Sequence, residues 1–96
     1  MRPSEALALH RDEVRSIIAS YPLSAPRVFG STARKEDRDD SDLDIIVAHD
    51  GGVTYFDLAR LEDQLSKLLH VRVDVRTEGE FSGRMLTRIQ RDFVPL

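Results

Sequence analysis

The sequence predicts a small α/β protein that forms a single domain over residues 1–96. Stretches with apolar residues at helical spacing alternate along the chain with short runs in which apolar and polar residues alternate, a pattern typical of helices interleaved with two-faced strands. The length suits one domain, and 41% hydrophobic with 32% charged residues is typical of an ordinary globular core and surface.

The first predicted element is an amphipathic helix over residues 4–20. Ser4 follows Pro3 and is a candidate N-cap, because its hydroxyl can accept a hydrogen bond from a free backbone N–H of the first turn. Pro22 ends the helix, since proline cannot continue it. The apolar residues at helical spacing are Leu7, Val14, Ile17, Ile18 and Tyr21.

A short strand over Arg27–Phe29 comes next and leads directly into Gly30 and Ser31. Glycine permits a positive φ or a close approach of the backbone to a ligand. A short helix from Ser31 to about Lys35 is expected after it. Two interpretations remain open: a plain turn with Ser31 as the helix N-cap, or a turn that offers backbone N–H groups and a hydroxyl to a phosphate.

Two aspartates at alternate positions open the next predicted strand, which covers Leu43–Ala48. Asp42 and Asp44 project from one face, and Leu43, Ile45 and Val47 project from the other. Most acids in the preceding loop, residues 36–41, are expected to be solvated. Aspartate is unfavourable in strands and adjacent carboxylates repel, so this pair calls for a compensating cation. Together with the Gly-Ser turn, it suggests a nucleoside triphosphate bound through a divalent metal.

A second long helix is predicted from its N-cap Thr54 to about Leu69. Its solvent side is expected to carry Glu62, Asp63 and Lys67, and its buried stripe consists of Leu58, Leu61, Leu65, Leu68 and Leu69. The helix therefore has one face for the core and one for solvent.

A third strand follows over Val71–Arg76, where valines alternate with polar residues. The valines face the helices, so Arg72, Asp74 and Arg76 share the opposite face. Asp74 is thus a third carboxylate for the acidic face. The alternative is an ion pair between Asp74 and one of the two arginines on an open sheet face.

The last predicted element is a helix that carries Met85, Leu86, Ile89 and Phe93. Arg84, Arg88 and Arg91 form a stripe along it. Such a stripe indicates either a solvated face or a docking surface for an acidic partner.

Composition excludes several classes of function. The chain has no cysteine, which excludes disulfides and cysteine metal sites. A net charge of −3 argues against direct nucleic-acid binding, and no apolar run is long enough to span a membrane. With no signal peptide in the sequence, we expect a cytoplasmic protein. The histidines lack metal-ligand spacing, and no nucleophile elbow surrounds Ser31.

The turn and the aspartate pair together resemble a known signature. Gly30-Ser31, a spacer of ten residues, and Asp42-x-Asp44 entering an apolar strand are similar to the motif of nucleotidyltransferases related to DNA polymerase beta. Two features narrow the resemblance to the minimal nucleotidyltransferases (MNT), which are antitoxin partners of HEPN-domain toxins: Ala33-Arg34 after the turn and Ser41 before the first aspartate. The chain departs from the group at Lys35, where glycine is common.

The resemblance implies a polymerase beta-like fold, with a small mixed sheet and helices mainly on one face. It implies transfer of AMP from ATP to a hydroxyl, in this family a tyrosine of a HEPN ribonuclease toxin, and a hetero-oligomer with that toxin. By this resemblance, Asp42, Asp44 and Asp74 are the catalytic residues and bind two Mg²⁺ ions. Gly30 and Ser31 would bind the phosphates of the nucleotide, and Arg34 or Lys35 would add positive charge there.

Two other functions stay open. One is a binding-only antitoxin that blocks the toxin sterically, and the other is a stand-alone enzyme that modifies a small molecule. The presence of all three acids favours an enzyme over the steric blocker.

Overall fold

The computed structural model describes all 96 residues. Its regular elements are α1 (Pro3–Ala19), β1 (Ser24–Phe29), α2 (Gly30–Ala33), β2 (Leu43–Ala48), α3 (Tyr55–Leu69), β3 (Val73–Thr77), α4 (Gly83–Ile89) and β4 (Val94–Pro95). Two 3₁₀ turns flank α4, at Glu78–Glu80 and Gln90–Asp92. No helix combines the length and the hydropathy that a membrane span requires.

The strands form one mixed sheet in the order β3-β2-β1-β4. The pairs β1–β2 and β1–β4 are antiparallel, whereas β2 and β3 are parallel and are joined by the crossover helix α3. This confirms the predicted α/β fold with a small mixed sheet. The short strand β4 was not predicted, because two residues that include a proline carry no strand pattern.

The hydrophobic core lies between one face of the sheet and the helices α1 and α3. Leu61, Leu65 and Leu69 of α3 are buried against it, as the leucine stripe predicts. Val73 and Val75 of β3 are buried on the same side. The helices therefore leave the opposite face of the sheet, which carries the acids, free of α1 and α3.

The N-terminus of α1 differs from the prediction. The N-cap is Arg2 rather than Ser4, and the backbone N–H of Ser4 donates to Oδ2 of Asp37 at 2.8 Å. Asp37 is only 5% exposed, although the loop acids were expected to be solvated. A carboxylate from a distant loop therefore satisfies a free N–H of the first turn, where it is also favoured by the helix dipole.

The outer edge of β3 is closed by side chains. The N–H groups of Val73, Val75 and Thr77 donate to oxygens of Ser66 (3.2 Å), Glu62 (2.8 Å) and Glu80 (2.7 Å), respectively. The prediction that Glu62 lies on the solvent side of α3 is therefore wrong: its carboxylate reaches back to the sheet. Capping an edge in this way removes donors that would otherwise pair with another strand.

The C-terminal segment packs on the face of the sheet opposite the helices. Phe29 of β1 makes edge-to-face contacts with Phe81 and Phe93, at ring-centroid distances of 6.2 and 6.3 Å. Ile46 points to the same face, as alternation predicts, and is fully buried. The predicted last helix is too long: α4 ends at Ile89 and buries none of its residues, so Phe93 lies beyond it.

Candidate functional site

Two carboxylates lie side by side at the sheet face that α1 and α3 leave free. Asp44 of β2 is directly opposite Asp74 of β3 in the parallel register. Asp42 precedes Asp44 by two residues, at the entrance of the same strand. The structure therefore brings the three predicted acids to one region, as their alternation with buried apolar residues requires.

Asp44 holds a proton more tightly than an ordinary aspartate. Burial raises the pKa of Asp44 above its ordinary value, and the negative charges of Asp74 and Asp42 raise it further. The positive charges of Arg76 and Arg34 act in the opposite direction but do not cancel these effects. Asp44 is therefore the carboxylate that most needs a compensating cation.

Arg72 and Arg76, which lie two residues on either side of Asp74, pair with other carboxylates. Nε of Arg72 lies 3.9 Å from a carboxylate oxygen of Asp42, and both side chains are substantially exposed. The guanidinium of Arg76 lies 3.4 Å from Glu80. The alternative interpretation of Asp74, as the ion-pair partner of Arg72 or Arg76, is therefore wrong.

Gly30 lies against the acids and has no room for a side chain. It follows Phe29, which is opposite Asp44 in the β1–β2 register, and it has φ +74°. A Cβ atom at this position would lie 2.6 Å from Oδ2 of Asp44. Both the positive φ and the close approach of the backbone to Asp44 require glycine. The turn at Gly30 therefore lies in direct contact with the acidic site.

The helix after this turn starts one residue earlier than predicted. Its N-cap position is Phe29, its first residue is Gly30, and no side chain caps it. The interpretation of Ser31 as the N-cap is therefore wrong. Ser31 is half-buried within the turn, and its hydroxyl is not committed to capping.

Arg34 and Lys35 are adjacent in sequence but have different surroundings. Arg34 lies 2.9 Å from Asp92 and 3.3 Å from Glu36, and its charge reaches Asp44. Lys35 has φ +60° and lines a groove beside α1. The positive φ explains why glycine suits this position. Of the two residues, Arg34 is the one whose charge acts on Asp44.

The sequence profile of the nucleotidyltransferase domain family matches residues 10–94. The chain belongs to this family. A solved structure assigned to a minimal nucleotidyltransferase has a TM-score of 0.86 and 43% identity, over 97% of this chain and 95% of the other. The resemblance to the minimal nucleotidyltransferases is thereby confirmed, and the protein is a nucleotidyltransferase.

Two further comparisons concern named proteins. The protein adenylyltransferase MntA of Thermococcus cleftensis is 30% identical over 88 residues, which are 92% of this chain and 86% of the relative. A chain in the complex of tri-AMPylated HEPN toxin with MNT antitoxin from Shewanella oneidensis has a TM-score of 0.71 at 17% identity. It covers 92% of this chain and 69% of that chain, and the likeness is one of fold.

The donor set of this nucleotidyltransferase fits Mg²⁺ that shares its coordination with a nucleotide. All three candidate ligands are carboxylates, and burial together with the charges of Asp74 and Asp42 raises the pKa of Asp44. No group of three Asp, Glu, His or Cys side chains is close enough to hold a metal alone. Mg²⁺ typically takes one or two carboxylates and completes its shell with water and phosphate oxygens.

Proposed function

We propose that this nucleotidyltransferase is an Mg²⁺-dependent adenylyltransferase that transfers AMP from ATP to a tyrosine hydroxyl of a HEPN ribonuclease toxin and so neutralises it. The observation that carries the proposal is the pairing of Asp44 with Asp74 on one sheet face, next to Asp42 and to the turn at Gly30. The activity named for the Thermococcus cleftensis relative supports adenylyl transfer, and the toxin complex with the same fold supports the partner.

In the proposed reaction, the acceptor oxygen forms a bond to the α-phosphorus of ATP and the bond to pyrophosphate breaks. The hydroxyl proton passes to Asp74, whose carboxylate pairs with neither neighbouring arginine. Asp42 and Asp44 would hold one Mg²⁺ and Asp74 would complete a second site. When bound, Mg²⁺ would supply positive charge for the phosphates and for the tyrosine oxygen as it loses its proton.

The turn after β1 binds the β- and γ-phosphates in this proposal. Gly30 lets the backbone approach Asp44 closely, and Ser31 offers a hydroxyl that caps no helix. Arg34 adds positive charge, and its contacts with Asp92 and Glu36 hold the guanidinium in place. These groups align the departing pyrophosphate, which matters because phosphoryl chemistry depends chiefly on positioning and charge.

The partner docks on the arginine stripe of the C-terminal segment in this proposal. Arg84 and Arg88 of α4 and Arg91 of the following 3₁₀ turn are all exposed. The acids nearby in sequence are already paired with other arginines: Glu78 with Arg27, Glu80 with Arg76 and Asp92 with Arg34. An acidic partner surface complements this stripe, and the resulting complex is a hetero-oligomer.

The decisive experiment is the substitution Asp74→Asn. The purified protein is incubated with the HEPN toxin, ATP and Mg²⁺, and the intact mass of the toxin is measured. Wild type adds one or more adenylyl groups to the toxin, and Asp74→Asn still binds the toxin but adds none, because the amide keeps the shape and cannot accept the proton. Asp40→Asn, in the exposed loop, is the matched control and retains full transfer.

The same experiment separates the enzyme from a steric blocker. If Asp74→Asn neutralises the toxin as well as wild type does, neutralisation is steric and the adenylylation proposal is wrong. A second measurement tests the nucleotide directly: Mg²⁺ with ATP raises the melting temperature of wild type by mass action on the folded state. No shift at millimolar Mg²⁺-ATP would contradict a working nucleotide site.

A further inference from the structure

The C-terminal segment contacts both ends of the turn that follows β1. At the start of the turn, the ring of Phe93 packs edge-to-face on Phe29, with 6.3 Å between the ring centroids. At its end, Nη1 of Arg34 donates a hydrogen bond to Oδ2 of Asp92 at 2.9 Å. Two consecutive residues, Asp92 and Phe93, therefore hold the two flanks of the Gly30–Ser31 turn.

Phe93 is itself fixed by a second arginine. The guanidinium carbon of Arg27 lies 4.8 Å from the centroid of the Phe93 ring, a distance at which a cation is attracted to an aromatic face. The same guanidinium lies 2.8 Å from Oε1 of Glu78, and only 19% of the Arg27 side chain is exposed. Solvent screens such a partly buried pair less than a surface pair. Asp92 thereby has a defined position, because it directly precedes Phe93 in the chain.

Two carboxylates contact Arg34, and Asp92 is the better placed of them. The guanidinium lies 2.9 Å from Asp92 and 3.3 Å from Glu36. The side chain of Asp92 is 32% exposed, whereas that of Glu36 is 66% exposed. Exposed ion pairs are screened by water and contribute little. Asp92 is therefore the main partner of the guanidinium, and it alone ties Arg34 to a distant segment.

The pair with Asp92 leaves part of the guanidinium available. Asp92 accepts from Nη1 and Glu36 accepts from Nε, so Nη2 of Arg34 donates to no group of the chain. The charge of Arg34 acts on Asp44, which places the guanidinium near the acids. An arginine that is held by one carboxylate can still donate to phosphate oxygens through its remaining N–H groups.

We propose that Asp92 is a positioning residue for Arg34: it holds the guanidinium so that Nη2 donates to the phosphates of ATP during transfer. The inference rests on the proposed role of Arg34 at the phosphate site. Arg91 of the proposed docking stripe directly precedes Asp92. The segment that contacts the partner therefore also positions the cation that contacts the phosphates.

Asp92→Asn is expected to lower kcat for adenylyl transfer without raising the KM for ATP. The amide keeps the shape but binds a guanidinium less tightly, so Arg34 is oriented less well and kcat falls roughly tenfold. The KM does not rise, because the charge of Arg34 remains and a carboxylate that repels phosphates is gone. Steady-state transfer to the HEPN toxin at varied Mg²⁺-ATP concentration measures both constants.

A double-mutant cycle shows whether Asp92 acts through Arg34. Arg34→Gln removes the charge itself, so it lowers kcat and also raises the KM for ATP. Adding Asp92→Asn to Arg34→Gln changes kcat no further, since the group to be positioned is already absent. Asp92→Glu keeps the carboxylate and recovers most of the wild-type kcat.

Two controls remove other carboxylates. Glu36→Gln takes away the weaker partner of Arg34, and we expect kcat to fall by less than about threefold. Asp63→Asn breaks a pair of the same kind with Lys67 on α3 and leaves both constants unchanged. The melting temperature of each variant verifies that it is folded.

A second readout does not depend on transfer. The ³¹P resonances of Mg²⁺-ATP bound to the protein without toxin report the surroundings of the β- and γ-phosphates. Arg34→Gln and Asp92→Asn both move these resonances toward their positions in free Mg²⁺-ATP, and Asp63→Asn does not. If wild type binds Mg²⁺-ATP but transfers no AMP, the proposed function is wrong, and the ³¹P spectra still decide the role of Asp92.

Several results would overturn the positioning role. They are an unchanged kcat in Asp92→Asn, a further loss of kcat when Asp92→Asn is added to Arg34→Gln, or bound-phosphate resonances in Asp92→Asn that match those of wild type. A wild type that binds no Mg²⁺-ATP would overturn both this inference and the proposed function.

Discussion

Asp44 and Asp74 lie opposite each other on neighbouring parallel strands, so the charge of Asp74 adds to the effect of burial on Asp44. Burial and the charges of Asp74 and Asp42 raise the pKa of Asp44 above its ordinary value. Folding therefore favours the protonated carboxyl. The resulting stabilisation is full below the ordinary pKa of aspartate and is lost as the pH rises through the folded value.

Asp44→Asn is consequently expected to raise the melting temperature at neutral pH while abolishing transfer. The amide removes a charge that the fold holds at a cost in the absence of a cation. Its advantage over wild type shrinks as the pH is lowered through the raised pKa of Asp44, because wild type then carries a neutral side chain as well. Thermal melts of both proteins at neutral pH and at a pH below the raised pKa of Asp44 measure this difference. A melting temperature of Asp44→Asn below that of wild type at neutral pH would contradict the prediction.

Gly30→Ala is expected to lose both stability and activity. The added Cβ meets Oδ2 of Asp44 at 2.6 Å, and the φ of +74° is strained for alanine. We expect a loss of about 1–3 kcal/mol in urea denaturation, together with loss of adenylyl transfer. Gly79→Ala is the matched control: nothing lies within 4 Å of its added Cβ, so stability stays close to wild type.

Ser31→Ala is expected to reduce transfer with little change in stability. Because Ser31 does not cap α2, the free energy of unfolding changes by no more than about 0.5 kcal/mol. Ser41→Ala provides the contrast, since the Ser41 hydroxyl accepts the N–H of Arg38 at 2.8 Å and its loss costs about 1 kcal/mol. Full transfer activity in Ser31→Ala would remove this hydroxyl from the phosphate site.

Asp37→Ala is expected to destabilise the protein by about 0.5–2 kcal/mol, as the loss of a helix cap does. Burial alone would raise the pKa of Asp37, but the hydrogen bonds from Ser4 outweigh it and the pKa is lowered. The contribution of Asp37 is therefore present above the ordinary aspartate pKa and is lost as the pH falls through the folded value. Urea denaturation at neutral pH checks it, with exposed Asp40→Ala as the neutral control. Equal losses in the two variants would rule out the capping role.

Lys35→Gly is expected to stabilise the protein by about 1 kcal/mol, since glycine adopts φ +60° without strain. Lys35→Ala removes the same charge and keeps the Cβ, so it brings no such gain. Thermal denaturation of the two variants separates backbone strain from charge. A similar rise in both would attribute the effect to charge.

Much of the site could be predicted because it depends on local alternation. The side chains of a strand alternate between its faces, so Asp42, Asp44 and Asp74 had to lie opposite the core-facing residues once the strands were recognised. Those residues are Leu43, Ile45, Val47, Val73 and Val75. The leucine stripe of α3 follows from helical spacing in the same way. These patterns repeat over a few residues, and packing against one core is enough to enforce them.

Tertiary structure alone decided the relations between distant segments. The sequence by itself determined that three acids share a face, but only strand register sets Asp44 against Asp74 and leaves Asp74 without an arginine partner. Asp37 and Glu62 read as solvated acids along the chain, yet they accept N–H groups of Ser4 and Val75 that folding brings within reach. The physical reason is that hydrogen bonds and charges act over a few ångströms in space, whereas local sequence patterns describe only neighbours along the chain.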